Sequence, residues 1–138
     1  MPNSSNIDCL LKQVEIQEIS ARNFGFYWEH FDQLIEQIRS ECVEVQDAWK
    51  KNNRKHLQEE VGDLIQAAVS LAVFCDLDPY ETLRKSIEKF QKRYDTVVKL
   101  VQDDGHDSLC KQPFEVLMSY WNRAKQSIRA TLLEHPSA

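Results

Sequence analysis

The sequence predicts an all-α fold, an antiparallel helical hairpin core with flanking helices. Three observations carry that expectation. Long stretches are rich in Leu, Glu, Gln, Lys, Arg and Ala, all good helix formers, and none shows the apolar–polar alternation of a strand. Apolar side chains recur at three- and four-residue spacing. The three glycines (Gly25, Gly62, Gly105) and four prolines (Pro2, Pro79, Pro113, Pro136) fall between those stretches, Gly62 excepted.

The first helix is expected over about Ile7 to Arg22, closed by the Asn23-Phe24-Gly25 turn. A second runs from about Glu29 to Lys51 and ends in the polar KKNNRK stretch, and a third covers about Arg54 to Cys75. Asp78-Pro79 supplies an N-cap followed by proline at the first helical position, which starts a fourth helix reaching to about Gln102. After the DDGHDS loop, Gln112-Pro113 opens a fifth, to about Leu133, and His135 to Ala138 are expected to fray.

At about 100° per residue, Phe31, Leu34, Ile35, Ile38, Cys42, Val45 and Trp49 form one stripe on the second helix. Glu41 falls inside it, three residues after Ile38 and four before Val45, with Glu44 one turn on. On the third helix Leu57, Val61, Leu64, Ala68, Leu71, Ala72 and Cys75 form the stripe, with Glu60 in or beside it and Asp63 at its margin. The short connection implies an antiparallel hairpin, so the two i, i+3 acid pairs should face each other. Carboxylates crowded at low dielectric repel, and an unpaired buried ion costs several kcal/mol or more. A cation between them is therefore expected. All-oxygen donors with no histidine at ligand spacing favour Mg²⁺, or Mn²⁺ as a substitute. Iron would call for a Glu-x-x-His pair on each of two helices, which the chain lacks.

The bulk properties bound the rest. The 138 residues suffice for a single domain over 1–138, and 42% apolar with 28% charged residues exclude a disordered chain. A formal charge of -5 gives no basic field for nucleic acid or an anionic membrane, so neither is expected as a partner. The opening MPNSSNIDCLLKQ has no apolar signal core, and the apolar run Ala67 to Cys75 is too short to span a bilayer. Cys9, Cys42, Cys75 and Cys110 are widely spaced without a CxxC, which fits reduced thiols in a cytoplasmic protein, with Cys42 and Cys75 on apolar faces. His106 and Cys110 make at most half a zinc site.

The paired acids, read as Glu41-Cys-Val-Glu44, fifteen intervening residues, then Glu60-Val-Gly-Asp63, resemble the signature of the MazG-like all-α nucleoside triphosphate pyrophosphohydrolases. EEVGDLIQAAVSLA is similar to that family's EELGDLLFALVNLA-type helix. FGFYWEHFDQLIEQI resembles its aromatic lead-in, DLDPYETLRKSIEKFQKRY its DPEEAL…KFxRR helix, and SYWNRAK its closing W…K helix. The resemblance covers about residues 24–125 and leaves residues 1–23 as an extra N-terminal helix.

It implies hydrolysis of the α–β phosphoanhydride of a nucleoside triphosphate to monophosphate and pyrophosphate, in the clearing of non-standard or surplus nucleotides. Glu41, Glu44, Glu60 and Asp63 would ligate Mg²⁺. Lys89 and Arg93 would hold phosphates, Trp121 would wall the nucleotide, and Lys125 would add a phosphate contact. One acid not needed as a ligand, Glu41 or Glu59, the latter adjacent to Glu60, would take the proton from the attacking water. Pairing of two chains would complete a four-helix bundle, as a homodimer or dimer of dimers, with Phe24, Phe26, Tyr27, Trp28 and Trp49 as candidate interface aromatics. The chain departs from the pattern at Ser40, where many relatives have an acid, and at Ile87 and Ser70, where many have asparagine. Those departures favour one rival, a nucleotide-binding module without turnover; a second rival is a helical adaptor whose acids are simply solvated.

Overall fold

A computed structural model describes residues 4–134. The helices are α1 (Ser4–Phe24), α2 (Phe31–Lys50), α3 (Arg54–Phe74), α4 (Pro79–Asp103) and α5 (Phe114–Glu134). All regular structure among the described residues is helical, so the expected class holds. The expected fraying of His135 to Ala138 lies outside the described residues. The chain divides into two compact units, Met1–Leu83 and Arg84–Ala138, each taken by itself below.

Helix ends follow local chemistry. Phe26 N–H bonds the Ala21 carbonyl (2.8 Å) and Gly25 N–H the Arg22 carbonyl (3.0 Å), with Gly25 at φ 97, the left-handed C-terminal closure that glycine adopts at no steric cost. Helix α2 starts two residues later than Glu29. The Gln33 side-chain oxygen reaches back to accept from the N–H groups of Glu29 (2.9 Å) and His30 (3.1 Å), leaving His30 extended. Asn53 caps α3 by accepting from His56 N–H (3.2 Å), and Asp78 caps α4 by accepting from Glu81 N–H (3.0 Å). The three residues 51–53 between α2 and α3 make the hairpin antiparallel.

In the first unit α2 packs along α3, and α1 lies against α3. The inward line of α2 is Leu34, Ile38, Glu41, Val45 and Ala48, with Leu34 and Ala48 at 1% and 0% exposure. This corrects the expected stripe. Phe31, Cys42 and Trp49 are exposed, because the small Ala48 rather than the bulky Trp49 takes the close-contact position. On α3 the line runs through Glu60, Leu64, Ala67, Ser70 and Phe74, whereas Val61, Ala68 and Cys75 face outward. Ser70 is buried and meets α1. Helix α1 joins α3 through Gln66 Nε2 donating to Gln17 Oε1 (3.0 Å) and Ser70 Oγ donating to Glu18 Oε1 (2.7 Å).

In the second unit, Phe90 of α4 meets Trp121 of α5 with ring centroids 5.6 Å apart. Asp104, just beyond α4, accepts from Tyr120 Oη and Arg123 Nη1, both at 2.8 Å. Val101, Tyr120 and Ala124 are buried there. All four cysteines are free and exposed, so Cys42 and Cys75 do not occupy the apolar faces expected of them. No described helix is long and apolar enough to cross a membrane.

Candidate metal centre and its cleft

The hairpin brings together Glu41 from α2 with Glu60 and Asp63 from α3: one carboxylate oxygen of each lies within 4.8 Å of the others. Glu41 is buried and the Glu60 side chain is 15% exposed. Glu41 Oε2 and Glu60 Oε2 are both shut off from solvent without a hydrogen-bond partner. A buried acceptor left this way is costly unless something positively charged or proton-bearing meets it.

Burial pushes the Glu41 carboxyl above its ordinary 4.5, the hydrogen bond from Gln37 Nε2 to Oε1 (2.7 Å) opposes that rise, and the nearby Glu44 and Asp63 add to it. Glu44 is therefore a neighbour of Glu41, but it is exposed and its oxygens are not in the three-acid group. Glu59 points outward, 61% exposed, with His56 Nδ1 3.9 Å from its Oε2; the same nitrogen is 3.8 Å from Glu60 Oε1. The donor set fits a hard divalent ion. It offers oxygens alone, anionic, on two rigid helices, with two buried oxygens lacking partners.

Gln37 and His56 escaped the sequence reading. Each stands four residues before a site acid, Glu41 and Glu60 respectively, which is a legible helical spacing, but polar residues give no apolar rhythm to flag them.

A cleft of about 340 Å³ opens beside the acids, with Glu41 and Gln37 on one wall, Asp63, Gln66 and Ser70 on another, and Glu18, Tyr27 and Trp28 beyond. The remaining expected residues belong to the second unit. Lys89 is exposed on α4. Arg93 lies over the Trp121 ring at 5.7 Å, and Trp121 and Lys125 are half-buried on α5.

The described residues thus form a helical protein whose central hairpin gathers three carboxylates, Glu41 and Glu60 each with a buried, unpartnered oxygen and Asp63 at the exposed margin, a donor set that could hold a divalent cation. The family is narrower. Residues 29–98 match the MazG nucleotide pyrophosphohydrolase domain, and the chain belongs to that family. It is 36% identical over 110 residues to the nucleoside triphosphate pyrophosphohydrolase/pyrophosphatase MazG of Thermotoga maritima, covering 80% of this chain and 41% of that protein. It is 27% identical over 123 residues to the nucleoside triphosphate pyrophosphohydrolase of Escherichia coli K12, covering 88% and 46%. It is also 30% identical over 74 residues to the uncharacterized protein YabN of Bacillus subtilis, covering 54% and 15%. The chain thus spans less than half the length of these relatives.

Proposed function

We propose that the chain is a Mg²⁺-dependent hydrolase that cleaves the α–β phosphoanhydride of nucleoside triphosphates, giving monophosphate and pyrophosphate, in the clearing of surplus or non-standard nucleotides. The observation that carries this reading is the pair of buried carboxylate oxygens, Glu41 Oε2 and Glu60 Oε2, with no partner in the protein, inside the stretch that matches the family. Glu41, Glu60 and Asp63 would hold the ion, joined by Glu44 through a change of side-chain rotamer. When bound, Mg²⁺ neutralises phosphate charge and acidifies water.

The chain's own residues do the remainder. Gln37 fixes the orientation of Glu41. The proton of the attacking water would go to an acid not needed as a ligand: Glu59, 61% exposed and outside the three-acid group, or Glu41 where the ion is held by the other acids. Lys89, Arg93 and Lys125 would stabilise charge growing on the pyrophosphate leaving group, with Trp121 as an apolar wall. Mn²⁺ should substitute for Mg²⁺, because the donors are all oxygen.

A panel of ribo- and deoxyribonucleoside triphosphates incubated with Mg²⁺, with the products identified, tests the reaction. Monophosphate plus pyrophosphate is expected; diphosphate plus orthophosphate, or no turnover at all, overturns it. The assembly is proposed to be a homodimer or a dimer of dimers. The outward aromatic surface of Phe24, Phe26 and Trp49, at 90%, 78% and 69% exposure, supports it. Sedimentation equilibrium returning the 16.2 kDa monomer mass would remove that part of the reading.

A further inference from the structure

Helix α1 lies outside the stretch that matches the MazG domain, yet it supplies part of the cleft beside the acids. The bond from Ser70 Oγ to Glu18 Oε1 is made by a serine only 6% exposed, and the Gln66–Gln17 pair braces α1 one residue away. Together they hold the Glu18 carboxylate at the cleft lining, in company with Tyr27 and Trp28. One part of the cleft thus combines flat aromatic surface with an acceptor of fixed position.

A phosphate would not settle against Glu18, a carboxylate outside the acid group proposed to hold the ion, because like charges repel. A neutral planar heterocycle would, provided that its edge donates hydrogen bonds. An ionised carboxylate is an acceptor alone, and serine's proton is already committed to it.

We infer that Glu18, positioned by Ser70, selects the nucleobase of the substrate, favouring guanine, then adenine and cytosine, over uracil and thymine. Guanine presents adjacent N1–H and N2 amino donors, which one carboxylate accepts as a pair. Adenine and cytosine each offer an amino group beside a ring-nitrogen acceptor. Uracil and thymine offer a single N3–H flanked by two carbonyl oxygens, both of which meet the carboxylate repulsively. The inference rests on the reading of the ligand as a nucleoside triphosphate and assigns its base preference.

Steady-state pyrophosphate release from GTP, ATP, CTP and UTP, together with calorimetric binding of GMP and UMP, tests it. The expected wild-type preference for GTP over UTP in kcat/KM is about 10-fold or more, the scale of one hydrogen bond to a charged group. Glu18→Gln keeps an acceptor for the Ser70 hydroxyl, so the fold has no reason to change. It should collapse the GTP/UTP ratio by about 10-fold, chiefly through a higher KM for GTP with kcat little altered. Equal kcat/KM for all four triphosphates, or a ratio untouched by Glu18→Gln, overturns the base selection while leaving the hydrolase reading intact. Absence of pyrophosphate from every triphosphate, with GMP still bound more tightly than UMP, overturns the hydrolase reading and upholds the base selection. Equal binding of GMP and UMP overturns the selection whatever the turnover.

Discussion

Gln37 Nε2 donates to Glu41 Oε1 across one turn of α2 at 2.7 Å, so the most buried acid of the site is oriented by an amide on its own helix. The bond favours the ionised carboxylate, which is the form a metal needs. Gln37→Met keeps volume and removes the donor. Affinity for Mg²⁺ or Mn²⁺, read by calorimetry, should fall about 10-fold, as for other residues that orient a metal ligand.

Glu41 also sets a pH dependence for the metal-free protein. Its folded pKa is raised above 4.5 by burial, so the folded state holds the proton more tightly than the unfolded one. The contribution to stability is full below 4.5 and is lost as pH rises through the higher folded value. Thermal melts of the metal-free protein should show Tm declining over that window, and saturating Mg²⁺ should flatten the decline. Glu41→Gln should abolish the slope and, with Mg²⁺ present, lower pyrophosphate release about 100-fold, the scale on which loss of a group acting on developing charge is felt.

The helices and the hairpin were legible because their boundaries are written in short-range chemistry: Gly25 and Asp78-Pro79 close or cap their helices as expected, and Asn53, within the polar stretch expected to separate α2 from α3, caps α3. The inward aim of Glu41 was legible too, from its place between Ile38 and Val45. The rotation of each helix about its axis was not. Weight of apolar surface drew the expected stripes toward Trp49 and Val61, while the inward lines run through Ala48, Ala67 and Ser70, small residues that contribute little to an apolar rhythm. Ser70 is buried because of a partner 52 residues away, which no window along α3 can reveal. Nor does helical spacing reveal whether acids on one hairpin and cations on α4 and α5 act on one ligand; the assignment of Lys89, Arg93, Trp121 and Lys125 rests on family resemblance alone.

In the second unit, Asp104 accepts from both Arg123 and Tyr120, and Arg123 lies 5.0 Å over the Tyr120 ring. The Arg123 bond, then the Tyr120 bond, hold the Asp104 carboxyl below its ordinary 3.8, while the bond to Asp104 lifts the Tyr120 phenol above 10.0. A depressed acid contributes stability that is present above 3.8 and lost as pH falls through the lower folded value. A raised phenol contributes stability present below 10.0 and lost as pH rises beyond it. The clasp should therefore be indifferent to pH between those limits and weaken outside them. Asp104→Asn should lower Tm at neutral pH and remove the acid-side loss attributable to this group, checked by melts of both proteins from pH 2 to 7.

Gly62 sits mid-helix in α3, where glycine costs backbone entropy and offers no packing in return. A Cβ built there meets nothing within 4 Å, and its φ is not in the left-handed region, so neither a close approach within the chain nor a special backbone shape requires glycine. Gly62→Ala should raise the stability of the isolated chain by about 0.5–1 kcal/mol, measured by urea denaturation. Its neighbours Val61 and Ile65 are outward-facing, at 37% and 61% exposure, so Gly62 lies on an apolar surface of α3. If that surface is where a second copy packs, the same methyl group would crowd the junction. Sedimentation of Gly62→Ala should then show weaker self-association alongside the gain in chain stability, two opposite effects of one substitution that a role confined to the helix would not produce.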